Sequence, residues 1–226
     1  MFCRDWIVVK RHGDEFTAAP LYCRSWTCDV CQPRRCKQLI RDGLAGAPTT
    51  FITLTAPGRT DDTPDDQARQ LVRAWREVVR RAKRLYGYPA IPYLAVFEAT
   101  KAGRPHLHIL CRVKWIGQDW LSRQMQQIMG APIVDVRRIR SRRGAALYVA
   151  KYVGKDPHRF HGVKRYWCTQ GWRVTPRDTK PLDAGERGWP EVKEVTLATW
   201  QYWVEQQGAF IHSEGPPLVY SFTVPP

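Results

Sequence analysis

Two hydrophobic periods alternate along residues 48–156, and each predicts a kind of element. TTFITLTAP at 49–57 is β-branched and flanked by prolines, which predicts a strand. Leu71, Trp75, Val78, Val79, Ala82 and Leu85 then recur at helical spacing and make one apolar face. Asp61, Asp62, Asp65 and Asp66 precede that face, Arg80, Arg81, Lys83 and Arg84 close it, and Gly87 is a plausible stop, all in keeping with a helix dipole. YLAVFEAT (93–100) and PHLHILCRV (105–113) read as two strands joined by the turn Lys101-Ala102-Gly103-Arg104. A second helix over 119–129, a strand over 132–139 and a third helix over 145–153 complete the order β-α-β-β-α-β-α. That order predicts the α+β class, an antiparallel sheet with helices packed on one side.

Three stretches follow from the same reading: a cysteine-rich segment over 1–47, the alternating domain over 48–156, and a C-terminal extension over 157–226. The extension is rich in Trp, Pro and Gly and weakly periodic. A hydrophobic content of 43% supplies a packed core and excludes wholesale disorder. A formal charge of +15 asks for an anionic partner, nucleic acid or an acidic membrane surface. No apolar run approaches the roughly 20 residues of a membrane span, and charges interrupt MFCRDWIVVKRHGDE, so a secreted protein is not expected.

The hairpin carries the first candidate chemistry. In a strand, alternate side chains share a face, so His106 and His108 point the same way while Leu107 and Ile109 point to the core. With the turn centred near Ala102, Glu98 falls opposite His106 on that face. Two imidazoles and a carboxylate make a divalent-cation site with open positions. An H-x-H pair alone is equally two exposed histidines, and the same ligand set occurs in non-haem iron oxygenases.

Tyr148, Lys151, Tyr152 and Lys155 stand at i, i+3, i+4 and i+7 on one face of the third helix, with Ala146, Val149, Ala150 and Val153 opposite. Nearby cations favour a phenolate, and a metal on a scissile phosphate lowers the demand on the nucleophile. Taken alone, the stripe is also what any surface helix shows.

Four of the seven cysteines crowd between residues 23 and 36. Cys28-x-x-Cys31 has the spacing of a metal knuckle, and Cys23 lies five residues earlier. Clustered thiols without a signal peptide read as structural Zn²⁺ rather than disulfides. Either Cys3 or Cys36 completes a Cys₄ set; Cys3 is favoured because Cys36 falls in the helix expected after Pro33.

Thr50-Phe51-Ile52-Thr53-Leu54-Thr55, Pro105-His106-Leu107-His108 and Tyr148-Val149-Ala150-Lys151-Tyr152-Val153 resemble the three ordered motifs of the HUH endonucleases, the rolling-circle replication initiators. The two-tyrosine pattern is similar to gene A-type initiators of small single-stranded DNA phages and related plasmid Reps. The resemblance implies an RRM-like sheet and Mg²⁺ or Mn²⁺ held by His106, His108 and Glu98, the last being the position whose identity varies among relatives. It further implies that Tyr148 attacks the phosphorus to leave a 5′-phosphotyrosine, that Tyr152 performs the second transfer, and that Lys151 assists. A bacterial cytoplasm, a replication origin hairpin and host helicase and polymerase are the implied setting and partners. The chain has no Walker-type loop of its own, which leaves unwinding to a helicase.

Arg137, Arg138, Arg140, Arg142 and Arg143, together with Lys155, are candidate contacts to a DNA backbone. Aromatic rings among cations, such as Trp167 and Trp172, suit either base stacking or a small core. Three functions remain open at this point: a nickase that initiates replication, a relaxase or transposase using the same site, and a zinc-containing DNA-binding protein whose site is inert.

Overall fold

A computed structural model of the chain describes residues 3, 5–12, 15–58, 61–155, 159–174, 191–196, 198–199, 202, 212–213 and 220–223. In chain order these residues form β1 (Trp6–His12), β2 (Glu15–Pro20), α1 (Cys31–Ala45), β3 (Thr50–Thr55), α2 (Pro64–Tyr86), β4 (Tyr93–Ala99) and β5 (Pro105–Cys111). There follow α3 (Gln118–Met129), β6 (Val134–Arg138), α4 (Arg142–Lys155), β7 (Tyr166–Cys168), β8 (Glu191–Thr196), β9 (His212–Ser213) and β10 (Tyr220–Thr223). The class is α+β, as the pattern predicts. The chain divides by contact into two units, 1–32 with 177–226, and 33–176.

The larger unit is built on an antiparallel sheet of order β6-β3-β5-β4-β7, which places the histidine strand at the centre. Period-two alternation sends Ile52, Leu54, Ala95, Phe97, Leu107 and Ile109 to one face. There they meet Leu71, Trp75 and Val78 of α2 and Leu121 and Met125 of α3 in one buried core. Helix α2 starts where Thr63 Oγ1 accepts the Asp66 N–H at 3.2 Å, with Pro64 next, and stops at Gly87.

The expected single helical layer is α2 and α3; α4 packs on the other face. Gly43 of α1 lies so close to α4 that a Cβ there would come within 3.1 Å of Ala146 Cβ and 3.4 Å of Leu110 Cδ1. Ala146, Val149 and Ala150 are buried there, the small apolar face read from the sequence. The periodic pattern identifies which helix face is apolar but not which sheet face receives it. Helix α4 also begins three residues earlier than its periodicity predicts. Ser141 explains this: its Oγ accepts the Gly144 N–H at 3.0 Å and its carbonyl the Ala145 N–H.

Part of the expected C-terminal extension belongs to this unit. Strand β7 pairs with β4, Phe160 packs on Phe97, and Trp172 is fully buried with its Nε1–H donated to the Asp42 carbonyl at 2.7 Å. Trp172 is therefore a core residue, not a platform for stacking bases. Arg112 fastens the segment by donating to the carbonyls of Gly46, Trp172 and Gly171.

The smaller unit holds a sheet of order β8-β1-β2-β10-β9, which brings strands from the two ends of the sequence together. Among the described residues, no helix is long and apolar enough to cross a membrane.

Candidate metal centres and the tyrosine helix

The β4–β5 register sets Glu98 opposite His106 and Val96 opposite His108. The turn that fixes this register closes through the Gly103 N–H to the Thr100 carbonyl, with Gly103 at φ 75°, a conformation that favours glycine. On the far side of β5, Thr53 pairs with His108 and Thr55 with His106. Glu98, His106, His108 and Thr53 thus share the face that α4 covers.

Ligand atoms of Glu98, His106 and His108 all lie within 4.8 Å of one another, and the three can hold a divalent cation. Glu98 Oε2 is 2.5 Å from His108 Nε2, and Thr53 Oγ1 is 3.1 Å from His108 Nδ1. Both ring nitrogens are therefore addressed, one by a carboxylate and the other by a hydroxyl. His108 is buried and stacks on Phe51 at a centroid distance of 5.7 Å, which fixes the plane of its ring. Burial, and secondarily the nearby charge of His108, lower the His106 pKa despite the opposing carboxylate, favouring the neutral imidazole that a metal needs. This donor set of two imidazoles and a carboxylate, with one oriented by a hydroxyl behind it, fits a divalent cation.

Tyr148 closes the site. Its ring meets His108 edge-on at 5.9 Å and Phe51 edge-on at 5.4 Å, yet the residue is 43% exposed. A half-exposed phenol held against a candidate metal ligand can be reached by a polymeric substrate from solvent. Lys151 is exposed on the same helix. Tyr152 and Lys155 lie in α4, but their side chains fall outside the described residues. Phe51 and Thr53 acquired no role from the sequence beyond membership of a motif; their place on the His108 face is the signal that alternation in β3 carries.

The candidate DNA-contacting arginines 137, 138, 140, 142 and 143 are all exposed. Arg137 is paired with Asp135 at 2.7 Å. Arg142 and Arg143 lie in the first turn of α4, which has no acidic residue to balance them.

The second cluster belongs to the smaller unit. The β1–β2 hairpin brings the start of β1 beside the end of β2, so Cys3 returns to the neighbourhood of Cys23. Cys28 and Cys31 follow at the start of α1. The four sulfurs lie within 4.8 Å of one another and can hold a metal. Cys31 Sγ is 3.4 Å from Cys3 Sγ and 3.7 Å from Cys23 Sγ, and the Ser25 N–H donates to Cys23 Sγ. The Cys31 N–H holds the Cys28 thiol down at about 7, while burial pushes Cys31 up to about 12. Four converging thiols suit a tetrahedral thiophilic ion. Cys36 stands apart, with its Sγ directed at the Ala150 carbonyl 3.9 Å away.

Fold and site together describe an α+β domain with a His-His-Glu donor set under a tyrosine-bearing helix. Residues 49–157 match the ORF2-type family of replication-associated proteins, which supports placing this domain among replication initiators and supports DNA as its partner. No curated protein and no solved structure matches the chain.

Proposed function

We propose that this protein is a metal-dependent, site-specific nickase and strand transferase of single-stranded DNA that initiates and terminates rolling-circle replication. The observation that carries the reading is the seat of Tyr148, edge-on to His108 beside the Glu98–His106–His108 set. A nucleophile adjacent to a divalent-cation site is the arrangement that phosphodiester transesterification requires.

Glu98, His106 and His108 would hold Mg²⁺ or Mn²⁺, which when bound withdraws charge from the scissile phosphate. The Tyr148 oxygen forms a bond to phosphorus as the bond to the 3′ oxygen breaks. That oxygen takes up a proton to become a free 3′-hydroxyl, a primer for the host polymerase. The protein is left joined to the 5′ side as a phosphotyrosine, so no bond energy is lost and rejoining needs no nucleotide cofactor. Lys151, one turn along the helix, contributes positive charge beside the anionic centre. Tyr152 is one helical turn from Tyr148 and is assigned the second transfer, which releases the closed circle. Zn²⁺ on Cys3, Cys23, Cys28 and Cys31 is structural in this reading, and unwinding falls to a host helicase.

The test is a denaturing gel of the protein with a pool of labelled single-stranded origin hairpins, with Mn²⁺ or EDTA. A metal-dependent covalent band should form, and Tyr148→Phe combined with Tyr152→Phe should abolish it. DNA binding with no adduct from any hairpin would instead leave a binding protein with an inert site.

A further inference from the structure

Helix α2 carries seven cations against three carboxylates. The carboxylates are all engaged within the larger unit. Asp65 accepts the His161 N–H at 2.9 Å, Asp66 is taken by Thr63 and Arg69, and Glu77 by Arg80 and Arg81. Arg80 and Arg81 hold the Glu77 carboxyl down at about 2, so it stays charged and committed to them. Arg73, Arg76, Lys83 and Arg84 are exposed and have no carboxylate partner among the described residues.

At about 100° per residue these four, with Arg69 and Arg80, fall within an arc of about 100° on the outer side of the helix. The apolar side, Leu71, Trp75, Val78 and Ala82, is buried in the core. From Arg69 to Arg84 the stripe runs about 22 Å, the reach of roughly six phosphates along one strand of a duplex. Arg76 and Lys83 also line a recess of about 340 Å³ with Val79, Ile91 and Pro92, a mixed cationic and apolar hollow suited to a sugar-phosphate edge.

We infer that the outer face of α2 binds the backbone of double-stranded DNA, separately from the strand that enters the histidine face. The two surfaces lie on opposite sides of one sheet, because the core residues that α2 covers alternate with Glu98, His106 and His108 along β4 and β5. A single strand would call for exposed rings among the cations, and the α2 arc has none. A duplex needs only charge, since phosphate contacts position without reading sequence. The inference rests on DNA being the substrate, and deepens that reading by assigning a site to the duplex beside the nicked strand.

The test uses the full chain carrying Arg73→Gln, Arg76→Gln, Lys83→Gln and Arg84→Gln. Its affinity for a labelled random-sequence duplex and for a short single strand is measured by anisotropy over a salt series. Duplex affinity should fall more than tenfold at low salt, and the slope of log K against log salt should flatten by about 3–4. Short single-strand affinity and the rate of adduct formation on a short strand should stay as in the native chain. A second variant, Arg73→Lys, Arg76→Lys and Arg84→Lys, should retain duplex binding. Unchanged duplex affinity in the Gln variant, an equal loss on both DNAs, or loss in the Lys variant would each overturn the inference. If the native chain forms no adduct but its duplex binding depends on these cations, the nickase reading fails and this surface stands.

Discussion

Thr53 decides which nitrogen of His108 is offered to a cation. When Nδ1 carries the proton and donates to Thr53 Oγ1, the lone pair on Nε2 faces Glu98, where a metal would sit. Thr53→Val removes the acceptor while preserving shape, and should weaken Mn²⁺ binding about 10–100-fold. Calorimetric titration of Mn²⁺ without DNA checks this, and Thr53→Ser should keep the native affinity. Affinities equal in the three proteins would rule out the hydroxyl as the orienting group. His106, His108 and Glu98 were legible in the sequence because alternation and one short turn place them on a common face. Thr53 was not, since its partner lies 55 residues away and only the β3–β5 register brings them together.

Among elements, the join between α1 and the segment after β7 carries the sharpest consequence. A Cβ at Gly46 would stand 2.0 Å from the Trp172 ring, which is fully buried and tied to Asp42. The guanidinium of Arg112 locks the surrounding carbonyls, so the ring has little room to retreat. Gly46→Ala should therefore cost about 1–3 kcal/mol by overpacking, read as a lowered midpoint in thermal melting. Trp172→Ala should cost about 3–5 kcal/mol by the cavity it leaves. An unchanged midpoint in Gly46→Ala would show that the ring can move aside. Helix α2 was readable in full because its apolar period, acidic start and Gly87 stop agree. The role of Trp172 was not, because a tryptophan among cations has the same local pattern whether it faces bases or a core.

At the scale of the whole molecule, the two ends of the chain meet in one sheet, and the cysteine cluster grows from that unit's hairpin. If the four thiols hold Zn²⁺, the purified chain should contain one zinc per molecule by elemental analysis. A strong chelator should remove it and melt the smaller unit, because the free energy of binding is then part of folding. Cys28→Ser should lower the zinc content, whereas Cys36→Ser should not, as Cys36 faces Ala150. Equal zinc in the two variants would reassign the fourth ligand.

Sequence alone determined what short-range order can encode: the α+β class, the hairpin with Glu98 against His106, the small apolar face of α4 and the Cys28-x-x-Cys31 knuckle. Each follows from a period or spacing over a few residues, where chain connectivity already limits which side chains can meet. Tertiary structure decided the rest. It set α4 on the face opposite α2, brought Tyr148 beside His108, and returned Cys3 to Cys31 across 28 residues. It also buried Trp172 against Asp42 across 130 residues. Such contacts form when separate apolar faces find their partners and exclude water, and no local pattern names the partner.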